Sequence, residues 1–412
     1  GYRRGLLSGG RLRQAGAFSE TLHGAIGFAD AMPSPWRDLA PLRDTLLSGE
    51  RLEEHARNLA YAHSAVGRAA GRYALARRVA DNARALHEAY LSLAAAATAR
   101  ETISPAGEWL IDNYHIVERQ IREIRKDLPS GYYRRLPKLA TGPLRGYPRI
   151  LGAMWQYVAH TDSHFSTDVL CRYFRAYQQV QPLTIGELWA VPITLRVLLV
   201  ENVRRFAEAI LLAREARRKA DTIADRILTA GAQALRQIPG MLSNLKNDDL
   251  VNPFIVQLAQ RLRDQDQAVA PALDWLDQRL GSEGTTVDEV VQAEQQRDIN
   301  AIISVRNIIT SMRLAHDVDW RDLFERMSLV HEVLAAANSY FQADFATRDQ
   351  YRGAVEQIAR GAKRSELEIA RGATAATDKA SANSRLSDPG YFLISGGRPA
   401  FERAIGYRAP IE

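Results

Sequence analysis

Cysteine is nearly absent. The 412 residues hold one, Cys171, which excludes an internal disulfide and a zinc site built on thiolates and suits a reducing compartment. Long apolar runs are missing too: the best, Ala190 to Val200, is about half the length a bilayer demands and contains Pro192 and Arg196. Strand-like alternation is absent, so nothing in the sequence supports a sheet. No glycine-rich phosphate loop, nucleophile elbow or His-Glu-x-x-His occurs, which leaves the enzyme classes marked by those motifs without support. The chain starts at Gly1 without a methionine and shows no export pattern, as expected of a fragment or processed segment.

Charge of one sign is also scarce. The 54 basic and 48 acidic residues give a net charge of only +6, and their interleaving argues against nucleic acid as a partner. Arg3, Arg4, Arg11 and Arg13 precede the first acid, Glu20. This arm reads as a frayed terminus in preference to a membrane or phosphate contact.

What the chain does have is helical patterning. A hydrophobic content of 46% with 25% charged residues describes a folded protein. Leu, Tyr and Ala recur at three- and four-residue spacing from Glu50 to Arg100, the mark of amphipathic helices. Ser104-Pro105 predicts a helix start running to about Asp127. A basic loop follows near 130–148. Thr184 with Glu187, Thr286 with Glu289, and Ser365 with Glu368 read as capping boxes. The first predicts a long helix towards Ile227, bent at Pro192. The expectation is an all-α, irregular multi-helix array. Its regions are an Ala-rich part over 1–102, a core over 103–285 and a C-terminal part over 286–412.

Several clusters invite chemistry. Glu108, Asp112, His115 and Glu118 would share one face of the helix from Pro105, as a ligand stripe or as a solvated face with local pairs. His160 and His164 flank Asp162, and Asp317 and Asp319 form Asp-x-Asp; for both, turn formation and capping are preferred to a metal. Arg134, Arg135, Lys138, Arg145 and Arg149 have no acid among them. They could meet a phosphate, carboxylate or partner with Tyr132, Tyr133 and Tyr147 as stacking platforms, or brace neighbouring acidic helices. Glu187, Arg196, Glu201, Asn202 and Arg205 read as buried pairs. No catalytic residue, metal ligand or cofactor is assigned. Glu108, Asp112 and Glu187 are the acid/base candidates if the chain were a free-standing glycan-processing domain, and a membrane-surface adaptor is the other alternative.

The phrases GEWLIDNYHIVERQIREIRKDLP, RRLPKLATGPLRGYPRI, VAHTDSHF, QPLTIGELWAVPITLRVLLVEN, DFATRDQYR and GYFLISGG with AFERAIGYR resemble the N-terminal region of the cyclic β-1,2-glucan synthases, large bacterial inner-membrane proteins. The resemblance spans about residues 103–407. It implies a parent that polymerises glucose from UDP-glucose with a family 84 glycosyltransferase, priming on one of its own tyrosines. None of the 15 tyrosines here can be assigned that role. The family's transferase signature, Gln-x-x-Arg-Trp, is missing. The resemblance therefore implies a soluble, non-catalytic helical scaffold on the cytoplasmic face of the inner membrane. Its partners would be the downstream transferase and membrane domains, with UDP-glucose or glucan as a further contact.

Overall fold

The structure, a computed structural model, describes residues 36, 39–63, 75–128, 132–229, 242, 250–263, 270–377 and 385–409. Arg3, Arg4, Arg11 and Arg13 lie outside them, as do the Tyr132 and Arg134 side chains. The fold is all-α: among the described residues the only extended pairing is one antiparallel bridge, Lys138 to Pro148.

In chain order the helices begin with α1 (Gly49–Ala62), α2 (Leu75–Thr98), α3 (Pro105–Asp112) and α4 (Tyr114–Asp127). One predicted helix from Pro105 is thus two. Asn113 stands between them, its side-chain amide donating at 2.9 Å to the Trp109 carbonyl that its own backbone N–H also reaches at 3.2 Å. A single turn, α5 (Tyr132–Arg135), leads through the basic loop to α6 (Arg149–His160) and α7 (Thr167–Gln178).

The Thr184–Glu187 box starts only the short α8 (Ile185–Trp189), and the long α9 (Val191–Thr229) begins afresh after Ala190. The expected bend at Pro192 is a full break. Proline lacks the amide that would continue the ladder, so it sits at the second position of a new helix, where that amide is not needed. Then come α10 (Asn252–Arg263), α11 (Ala270–Gly281), α12 (Val287–Asp317), α13 (Trp320–Met327), α14 (Leu329–Ala335), α15 (Asn338–Gln342), α16 (Phe345–Ala362), α17 (Glu366–Thr377), α18 (Pro389–Ile394) and α19 (Arg398–Ile405). Asp319 caps α13 by accepting from Arg321 N at 2.9 Å, which is the capping role expected of that Asp-x-Asp. The Thr286 and Ser365 boxes form as expected: Glu289 accepts from Thr286 N at 3.0 Å, and Glu368 from Ser365 N at 2.8 Å.

Contacts divide the chain into two compact units. Of the described residues, the first draws on 36, 39–40, 84–114, 204–229, 242, 250–263 and 270–306. Ala216, Ala220, Ala224 and Ile227 of α9 recur every three or four residues and pack in one core with Phe254, Leu258 and Leu262 of α10 and Leu276 and Leu280 of α11. Alanine along the seam lets helices approach closely, while each fully buried Leu or Phe contributes roughly 1.5–3 kcal/mol. Arg261 ties α10 to α9 through Asp221 at 2.9 Å and Asp225 at 2.5 Å.

Of the described residues, the second unit draws on 41–63, 75–83, 115–128, 132–203, 307–377 and 385–409. Leu52, Ala56 and Ala60 of α1 are buried at four-residue spacing, and α1 packs along α7. At its centre lie the apolar face of α6 and the stretch Val197 to Val200 of α9, all inaccessible to solvent. The C-terminal helices α14, α16, α17, α18 and α19 pack on one another. Gly361 of α16 allows the closing segment to lie down: a methyl there would stand 2.1 Å from the Tyr407 ring and 2.9 Å from the Arg408 carbonyl. Gly361→Ala is expected to cost about 1–3 kcal/mol through overpacking, read as a lower urea midpoint.

Candidate functional site

Three features hold the residues that invite chemistry: a buried ionic hub, a turn between α6 and α7, and an exposed loop with a neighbouring cleft. All lie in the second unit.

The hub forms where α6 starts. Arg149, 6% exposed, sends Nε to Glu187 Oε1 at 2.9 Å and a terminal nitrogen to Glu187 Oε2 at 2.7 Å. Two further donors reach Gln181 Oε1 at 2.8 Å and the Pro182 carbonyl at 3.0 Å. Glu187, fully buried, also accepts from Thr184 N at 2.9 Å and Thr184 Oγ1 at 3.1 Å. Three of these four donors meet Oε2 and one meets Oε1. Both carboxylate oxygens of Glu187 are thus engaged within the fold. Burial alone would lower the Arg149 pKa, but the hydrogen bond and charge of Glu187 outweigh it and raise it. His63 accompanies the hub, with Nδ1 3.0 Å from Tyr177 Oη. Burial, with the charge of Arg149 adding, pushes His63 down to about 4, so it is neutral at pH 7. Burial pushes the Tyr177 hydroxyl well up despite Arg149.

Between α6 and α7, Asp162 and Ser163 both adopt left-handed backbone, with φ of 50° and 61°. Such residues cost on the order of 1–3 kcal/mol each unless their surroundings hold them. Here they do: Asn202 donates to Ser163 Oγ at 2.8 Å, Ser311 to the Ser163 carbonyl at 2.8 Å, and Asn307 to the Asp162 carbonyl at 3.2 Å. Asn202 also accepts from Leu42 N at 2.6 Å and donates to the Leu42 carbonyl at 3.2 Å. His160 and His164 do not converge on Asp162. His160 is buried with Nδ1 2.7 Å from the Thr45 carbonyl, and His164 is exposed.

The basic loop closes on itself through Leu139 N to Tyr147 O at 2.9 Å and Arg149 N to Pro137 O at 2.8 Å. Its cations part company: Arg135 and Arg145 are exposed, Lys138 is half-buried and Arg149 is interior. Tyr133 and Tyr147 are not stacking platforms. Both are buried, and Tyr133 Oη lies 2.8 Å from Thr194 Oγ1 of α9, so neither ring face is open to a ligand. Glu118 and His115 are exposed on α4, where Glu118 pairs with Arg122 at 3.6 Å. His115, Arg119 and Gln120 of α4, with Met312, Arg313 and His316 of α12, line a cleft of about 270 Å³. In the first unit Glu108 and Asp112 are exposed on α3. Among the described residues, no three His, Cys, Asp or Glu side chains gather around a common point for a metal, and no helix is long and apolar enough to cross a membrane.

Two residues central to these features lay beyond sequence reasoning. Ser311 bridges the turn and Phe165 N at 2.8 Å, and Glu366 of α17 accepts from Ile185 N at 2.6 Å. Both partners are more than a hundred positions distant, so no local spacing announces them.

No protein-family model matches the chain. Among curated proteins it is 35% identical over 340 residues to the cyclic beta-(1,2)-glucan synthase NdvB of Rhizobium meliloti strain 1021. That alignment takes in 80% of this chain and 12% of the length of its relative. By sequence the chain is therefore related to a cyclic β-1,2-glucan synthase, and it spans about one eighth of the length of that relative.

Proposed function

We propose that this chain is a helical scaffold from the N-terminal region of a cyclic β-1,2-glucan synthase, lying on the cytoplasmic face of the bacterial inner membrane. It makes no bond itself; a transferase elsewhere in the parent polymerises glucose from UDP-glucose. The observation that carries this reading is the Arg149–Glu187 hub. Arg149 and Glu187 are spent on each other in the interior, with both carboxylate oxygens of Glu187 engaged. That inward use favours bracing over acid/base chemistry. The surface left for the parent's other domains includes Arg135 and Arg145, the exposed cations of the basic loop.

The test has two arms. The purified chain, incubated with radiolabelled UDP-glucose, is expected to transfer no glucose. In the second arm the remainder of the synthase is expressed separately, and its capture by this chain is measured. The double variant R135E and R145E is expected to weaken capture on the order of tenfold while leaving thermal unfolding in place. Glucose transfer by the isolated chain overturns the scaffold reading. Unchanged capture removes the loop as its contact.

A further inference from the structure

Helix α17 meets α8 through one side chain. Glu366 is half-buried as a residue, but its carboxyl end is turned inward, with Oε2 2.6 Å from the Ile185 amide. That amide is among those at the start of α8 with no partner inside the helix. The amide before it, Thr184 N, is taken by Glu187 at 2.9 Å. Two carboxylates therefore occupy consecutive backbone amides, one local and one supplied from 181 positions away.

Their charges are treated unequally. Glu187 has the Arg149 fork. Glu366 forms no ion pair with a cation among the described residues: Arg360 of α16, whose charge acts on it, bonds Glu356 one turn earlier on the same helix. The charged groups acting on Glu366 are thus Glu187 from α8 and Glu356 and Arg360 from α16. On α14, which packs along α17, His331 bonds Tyr340 and Glu332 bonds Arg175. At the start of α18, Asp388 is held by Tyr351 and Ser339. The charges of Glu187 and Glu356 disfavour ionisation of Glu366.

We infer that Glu366 is a proton-set clasp: protonated, it fastens α17 to the start of α8, and ionised, it loosens that attachment. Protonation keeps a carbonyl oxygen to accept the Ile185 amide and removes the repulsion from Glu187 and Glu356. Burial, opposed by the Ile185 hydrogen bond, pushes Glu366 up to about 7 from an ordinary 4.5. The sign follows from that rise. A carboxyl whose value is higher when docked binds its proton better when docked. Its contribution is complete below 4.5, falls as pH rises, and is lost through about 7.

The test is hydrogen exchange on the whole chain between pH 5 and 8, comparing protection of 184–189 and 366–377 in the wild type with Glu366→Gln. Glutamine keeps an acceptor for Ile185 and carries no charge. The two proteins are expected to agree at pH 5. At pH 8 the wild type should be less protected by about 100-fold, roughly tenfold for each pH unit over which the docked form alone holds the proton. The carboxyl carbon shift of Glu366 in the wild type, followed by NMR after selective labelling, checks the clasp without any variant and should titrate near neutrality. A midpoint below pH 5, or equal protection of both proteins at pH 8, overturns the clasp.

Discussion

Arg149→Ala is expected to destabilise the second unit by roughly 3–5 kcal/mol, because it strands the carboxylate of Glu187 in the interior with its main counter-charge gone. Glu187 is fully buried and would keep only its bonds from Thr184. The loss extends further: Gln181 Oε1 and the Pro182 carbonyl would each lose a donor. Arg149→Lys should recover only part, since an ammonium cannot give the parallel pair that Nε and a terminal nitrogen supply. The informative partner is the double change Arg149→Met with Glu187→Leu, which removes both charges and fills similar volume. Replacing a buried pair in this way is often near neutral, so the double variant should be more stable than Arg149→Ala alone. Urea titration followed by tryptophan fluorescence measures all three. If Arg149→Ala unfolds at the wild-type midpoint, the hub does not brace the fold.

Glu201→Ala is the second large effect expected, at about 3–5 kcal/mol. Glu201 of α9 is fully buried and takes Arg78 of α2 in a fork, Nε at 2.9 Å and a terminal nitrogen at 2.8 Å, together with Asn82 Nδ2 at 2.8 Å. Three donors from the first part of α2 thus depend on one carboxylate. Glu201→Gln is not a conservative rescue: its amide would bring a donor towards groups that are themselves donors. Both variants should expose residues 75–83 to faster hydrogen exchange at neutral pH, with the alanine variant also losing packing around its cavity. Unchanged exchange over 75–83 would mean that α2 is held by its apolar face alone.

The capping boxes show how far local chemistry could be read. A hydroxyl and a carboxylate three residues apart satisfy amides within the same turn, so Thr184 with Glu187, Thr286 with Glu289, and Ser365 with Glu368 are legible from spacing, and all three form. Their extent was less legible. Glu187 doubles as the anchor of Arg149, a role that no local rule assigns. Pro192 announced a disturbance, but the choice between a bend and a break depended on whether α8 and α9 found separate partners. The helix from Pro105 failed at Asn113 for a related reason, since an asparagine side chain can either point outward or take the carbonyl one turn back.

The sequence by itself determined the all-α class, the helix starts and the kinship with cyclic β-1,2-glucan synthases, because periodicity, capping and ordered phrases are properties of neighbouring residues. Only the tertiary structure decided which polar residues went inside. Arg135, Arg145 and Arg149 belong to one acid-free loop, yet two face solvent and one is buried against Glu187. The difference is the position of a buried carboxylate 38 residues away. A charge enters the interior only where a partner waits to offset its desolvation, and that partner is placed by the packing of other helices.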